Sequence, residues 1–212
     1  GSKPKTRLRG VFHEIFYALT PIFSADIARQ STSIRGTWAA AAFMLGWAIQ
    51  YGVSSQFHRR RWTLAEEQFM SDLDHVGILA MVAGCYIPML QLLPAWKRSL
   101  FTAVVLSCLV LGATRAFGKR GGRSAETAVA VVMVLALAPA GPELYHLLTR
   151  TEWVLHCGAL VQYLVGGVAY SQHWPEPFPG VFGAQEVMHL LTCTGSVCVF
   201  LMNRTVIKRI EV

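Results

Sequence analysis

Six stretches of this chain, near residues 36–58, 72–94, 98–116, 125–148, 153–172 and 183–203, are predominantly apolar over about the length that crosses a bilayer. A hydrocarbon layer of about 30 Å takes roughly 17 to 25 apolar residues in helical form. Lipid offers the backbone no hydrogen-bond partner, so each run must satisfy its own amides and carbonyls, which predicts helices and argues against strands. A seventh stretch, 11–28, carries His13, Glu14, Pro21 and Asp26 and reads as a short, tilted or interfacial first span. The expected fold is an all-α integral membrane protein: a seven-helix transmembrane bundle with six full spans plus a short or irregular first one. A basic tail (1–10) precedes the single bundle (11–203), and a second tail (204–212) comes after it.

Charge sets the orientation and excludes one class of partner. Of the 19 Lys and Arg residues, eleven fall on one side of a seven-span layout: Lys3, Lys5, Arg7, Arg9, Arg59, Arg60, Arg61, Arg115, Lys119, Arg120 and Arg123. By the positive-inside rule the N-terminus is expected on the cytoplasmic, or matrix-equivalent, side. The basic residues are scattered over nearly every loop without an aromatic-interleaved stripe, which argues against nucleic acid and for contact with anionic lipid headgroups. The acid-free tail from Lys3 to Arg9 also fits a terminus left by removal of a targeting segment. Cys85, Cys108, Cys157, Cys193 and Cys198 all lie inside apolar runs and form no CxxC pair, so reduced thiols are expected.

Polar residues inside the spans carry the functional reading. Ser54 and His58 stand at i and i+4 at the end of the second run, as Gln185 and His189 do at the start of the last, so each pair shares one helix face. Asp74 lies about a turn inside the third helix, where a carboxylate is costly unless paired or bound. Tracing the spans puts His58, Asp74, Gln185 and His189 at one membrane depth. The bland alternatives are a snorkelling boundary for His58 and helix N-terminal acids for Asp72 and Asp74. His13, His146, His156 and His173 carry less: the first is in the irregular segment, the others near a break, in a helix and in a loop. No run of intramembrane acids marks an ion path.

The order Ser54-x-x-x-His58, Leu73-Asp74-His75-x-Gly77-Ile78, Ala83-Gly84-x-Tyr86-x-Pro88, Tyr163-x-x-Gly166-x-x-x-Tyr170, Phe178-Pro179-Gly180 and Gln185-Glu186-Val187-Met188-His189 resembles the haemolysin III proteins and the progestin and adipoQ receptor family. The resemblance runs from about residue 36 to the end. It implies a seven-helix bundle with zinc near the cytoplasmic ends of the helices, held by one histidine ending the second helix and two at i and i+4 on the seventh. On that pattern His58 and His189 would be zinc ligands, Asp74 would hold the zinc-bound water, and Ser54 would assist. Zinc would supply a hydroxide near neutral pH for an amide or ester carbonyl, as in ceramidase-like relatives acting on lipid amides.

This chain departs from the family at several positions. Gln185 stands at the third ligand position, where the family has histidine, and an amide oxygen is a poor zinc ligand beside imidazole. Val199 replaces a further family histidine, and Tyr17 and Pro21 stand where asparagine and histidine follow the acidic residue of the first helix. A shifted register would offer His189 and Cys193 instead, also i and i+4. Two functions therefore stand side by side. One is a bundle that has lost part of its zinc site and serves as an accessory or structural subunit of a larger membrane complex. The other is a zinc-dependent lipid amide hydrolase or receptor. Lipids, and for the first reading other subunits, are the expected partners.

Overall fold

The computed structural model describes residues 5–118 and 123–210, the side chains of 123–127 excepted; Lys3, Lys119 and Arg120 lie outside the described residues. Among the described residues eight α-helices follow in order: α1 (Val11–Ala28), α2 (Ile34–Arg59), α3 (Leu64–Leu90), α4 (Ala95–Phe117), α5 (Arg123–Ala136), α6 (Gly141–Leu147), α7 (Arg150–Ser171) and α8 (Ala184–Lys208). A 3₁₀ turn at Ala138–Ala140 joins α5 to α6. Pro139 and Pro142 supply no amide hydrogen there, so one membrane-length column, Ala128–Leu147, is built from two helical pieces. Among the described residues the isolated Phe178–Phe182 bridge is the only β-type pairing. The cysteines are free.

Among the described residues five helical stretches are long and apolar enough to cross a membrane: Leu64–Leu90, Ala95–Phe117, Ala128–Leu147, Arg150–Ser171 and Ala184–Lys208. α2 has comparable length at 26 residues. Its polar side chains Gln50, Ser54, Ser55 and His58 are buried against the bundle. α1 has 18 residues and an internal Pro21, as its composition predicts. α8 runs on to Lys208, beyond the boundary read from the sequence.

Burial separates two central helices from the lipid-facing ones. Within their apolar windows, α3 is 56% and α8 50% buried, against 17–22% for α4, the α5–α6 column and α7. α1 and α2 pack beside them, with α1 touching both α2 and α8. Aromatic rings fill the space between α1, α2 and α8: Phe16 stacks on Trp47 at 5.8 Å, Phe23 meets Trp47 at 5.2 Å and Phe200 at 4.8 Å, and Trp47 meets Tyr51 at 5.1 Å. Such ring contacts add to the area they bury. Glycine sets how closely α2 and α3 approach: a Cβ on Gly46 would collide with the Ala80 carbonyl oxygen, and one on Gly84 would stand 2.9 Å from that of Ala42. Small residues at such crossings let backbones touch where lipid supplies no hydrophobic drive to associate.

Polar ties fix the helix ends. Thr63 and Glu66 form a reciprocal capping box on α3, and Thr149 and Glu152 form another on α7. Glu152 also accepts from Thr205 at 2.6 Å and Arg209 at 2.6 Å, joining α7 to the end of α8. Arg204 pairs with Asp26 through two nitrogens at 2.7 and 3.4 Å.

Candidate functional site

The inner face of α2 repeats every turn as Gln50, Ser54 and His58, all buried, although Arg59 follows immediately and is exposed. Asp74 comes from α3 and Gln185 and His189 from α8, and these three are buried as well. Tyr51 fixes the register of α2 against α8 by donating to Ser196 Oγ at 2.7 Å, and the Tyr163 hydroxyl from α7 lies 3.1 Å from the same oxygen.

The residues expected at one membrane depth do meet. The Gln185 amide nitrogen lies 2.9 Å from Nε2 and 3.2 Å from Nδ1 of His58. Asp74 Oδ2 is 3.7 Å from His58 Nε2, and the rings of His58 and His189 have centroids 4.9 Å apart. Ser54 is 1% exposed, one turn before His58. Of the two i and i+4 pairs on α8, the one beginning at Gln185 brings its first residue against His58. Glu186, beside the ligand face, serves elsewhere. Its carboxylate accepts from the Gly183 amide at 2.8 Å and the Thr6 hydroxyl at 2.6 Å, capping α8 and holding the tail.

His13 is the residue that sequence reasoning set aside. α1 carries it into the cluster, 2% exposed, stacked on His189 with centroids 3.9 Å apart and planes 20° apart, and set edge-on to Tyr51 at 4.9 Å. Neither of its ring nitrogens has a hydrogen-bond partner among the described residues. The sequence signal for it is its spacing: His13, Phe16, Thr20 and Phe23 recur every three to four residues, which places them on one face of α1. His156, by contrast, packs against Tyr86 and Trp153 away from the cluster.

A zinc site needs lone pairs converging on one point about 2.0–2.1 Å from each imidazole nitrogen. Here the third position holds the Gln185 side-chain amide against His58, and an amide oxygen is a weaker zinc ligand than imidazole. His13 does not replace it, because imidazole lone pairs lie in the ring plane and two nearly parallel stacked rings direct theirs side by side. Among the described residues no group of three or more His, Cys, Asp or Glu side chains is arranged to hold a metal ion. With glutamine at the third position, the described residues fit zinc less well than the three histidines that the family pattern implies.

The tail covers this end of the bundle. Arg7 and Leu8 donate backbone amides to the carbonyls of Gly180 and Val181 at 3.1 and 3.2 Å. Lys5 Nζ donates to the Phe57 and Arg60 carbonyls at 3.3 and 2.8 Å, capping the C-terminus of α2. Burial, reinforced by Arg9 and Arg61 and opposed by Glu67, holds the Lys5 ammonium below its ordinary pKa. Gly10 makes the turn into α1 at φ 77°, and a Cβ there would stand 2.9 Å from His58 Cβ. Only glycine meets both demands readily. Replacing Thr6 by valine removes a hydrogen bond to a buried carboxylate, worth about 1.5 kcal/mol or more. Hydrogen exchange of the Arg7 and Leu8 amides should then speed up about tenfold, while an unchanged rate would mean that the Glu186 contact does not hold the tail.

The haemolysin-III related family model matches residues 5–200, and the chain belongs to that family.

Proposed function

We propose that this member of the haemolysin-III related family keeps the multi-pass membrane bundle without the family's complete metal centre and serves as an accessory or structural subunit of a larger membrane assembly. One observation carries the reading: Gln185 occupies the position where the family pattern has histidine and packs its side-chain amide against His58. The neighbouring packing supports this reading, since Tyr51 meets His13 edge-on and is itself packed on Phe16 and Trp47. The N-terminus and the histidine cluster face the cytoplasmic, or matrix-equivalent, side, where the more basic loops lie. Lipids and neighbouring subunits are the partners.

A second reading, a zinc-dependent lipid amide hydrolase or receptor, draws on a single observation: Ser54, His58, Asp74 and His189 are all buried at one end of the bundle. Purification from native membranes without chelators separates the two. The first reading expects far less than one zinc per chain and co-migration with a stable larger assembly. About one zinc per chain, lost in the double variant His58→Ala/His189→Ala, together with release of fatty acid from a lipid amide that Asp74→Ala abolishes, would establish the second.

A further inference from the structure

On its outer side α2 lines an open groove of about 450 Å³, bordered by Tyr17 from α1 and by Met70 and Leu73 from α3. The floor residues Ala48, Ile49, Val53, Gln56 and Arg60 follow helical spacing along one face. From Ala48 to Arg60 that face runs roughly 18 Å, at 1.5 Å per residue. Its Ala48 end is apolar, and its Gln56–Arg60 end, the shallow one if α2 spans the membrane, is polar and lies beside the run Arg59-Arg60-Arg61. Ser54 and His58, by contrast, are buried on the inner side of α2, so the cleft is separate from the histidine cluster.

The basic groups at the shallow end are not equivalent. Arg59 is paired with Glu14 at 3.0 Å, and Lys5 is spent on the α2 carbonyls. Arg60 is exposed and lines the cleft, and among the described residues its guanidinium makes no ion pair. Tyr17 forms its wall because Gly52 lets the ring lie on the α2 backbone; a Cβ there would stand 2.8 Å from Tyr17 Cε2.

We propose that this cleft is a binding site for one anionic membrane phospholipid, with the acyl chain along Ala48, Ile49 and Val53 and the phosphate on Arg60 and Gln56. An apolar floor ending in an unneutralised guanidinium at the interface matches the two halves of such a molecule. Arginine suits the phosphate through its planar donor fork. The surrounding basic run favours a headgroup of net negative charge over a zwitterionic one.

The test is native mass spectrometry of the full chain released from nanodiscs of phosphatidylcholine and phosphatidylglycerol in equal amounts. The expected result is one retained phosphatidylglycerol per chain in preference to phosphatidylcholine. Arg60→Gln should reduce that occupancy about fivefold, Ala48→Trp should abolish it by filling the floor, and Arg150→Gln, outside the cleft, should leave it unchanged. Equal retention of both lipids, or full occupancy in Arg60→Gln, would overturn the proposal. If Ala48→Trp fails to fold, the Arg60→Gln comparison still decides.

Discussion

If the third ligand is what the centre lacks, Gln185→His is expected to raise bound zinc from far less than one to about one per chain. The substitution restores the i and i+4 histidine pair on α8, and the new imidazole enters from the position where the glutamine amide now sits 2.9 Å from His58 Nε2. Three imidazoles would then converge where two converge now, with Asp74 already 3.7 Å from His58 on the remaining side. Three protein ligands and one open position make up a catalytic zinc site. Because the ligands come from α2 and α8, bound metal would also cross-link the bundle and raise its unfolding temperature as zinc concentration rises. Gln185→Asn, which keeps the amide but shortens it, should gain no metal. If Gln185→His stays metal-free while folding normally, the missing histidine is not what separates this chain from a metal centre.

The second large effect concerns the crossing on which the site depends. Gly46→Val should destabilise the bundle by on the order of 3 kcal/mol, since the added Cβ alone would collide with the Ala80 carbonyl oxygen of α3 and helices so closely packed can only separate. Separation moves His58 away from Asp74, so the variant should also lose the protection of the α2 end in hydrogen exchange. Gly167→Ala is the matched control, because nothing lies within 4 Å of its added Cβ and alanine favours a helix. A thermal midpoint that falls for Gly46→Val and holds for Gly167→Ala would place the effect at the crossing rather than in helix propensity. Equal midpoints would show that α2 and α3 do not need that approach.

The fold was legible in the sequence because lipid simplifies it: apolar length and the need to satisfy the backbone leave helices as the solution, and the runs at 98–116 and 183–203 fall on α4 and α8, while α3 starts at Leu64, earlier than the run at 72–94, so that Asp72 and Asp74 lie roughly two to three turns inside it. The common depth of His58, Asp74 and Gln185 was legible too, since it follows from counting crossings. What the sequence hid was rotation. His13 lies on a helix of mixed polarity, and its entry into the cluster depends on Phe16 and Phe23 turning inward against Trp47, a packing choice that no motif records. The contact of Gln185 with His58 was hidden for the same reason, since it depends on how α8 sits against α2. The tail was read as a basic extension, and its ties to Gly180, Val181 and Glu186 depend on a loop more than 170 residues away.

Whether this haemolysin-III bundle has an incomplete metal centre is decided by a density map of the histidine cluster in protein purified and imaged with zinc present. The expected map has the Gln185 side chain against His58, the His13 and His189 rings stacked, and no peak between them. A strong peak within about 2.0–2.1 Å of nitrogens from two or more of these histidines would contradict the incomplete centre.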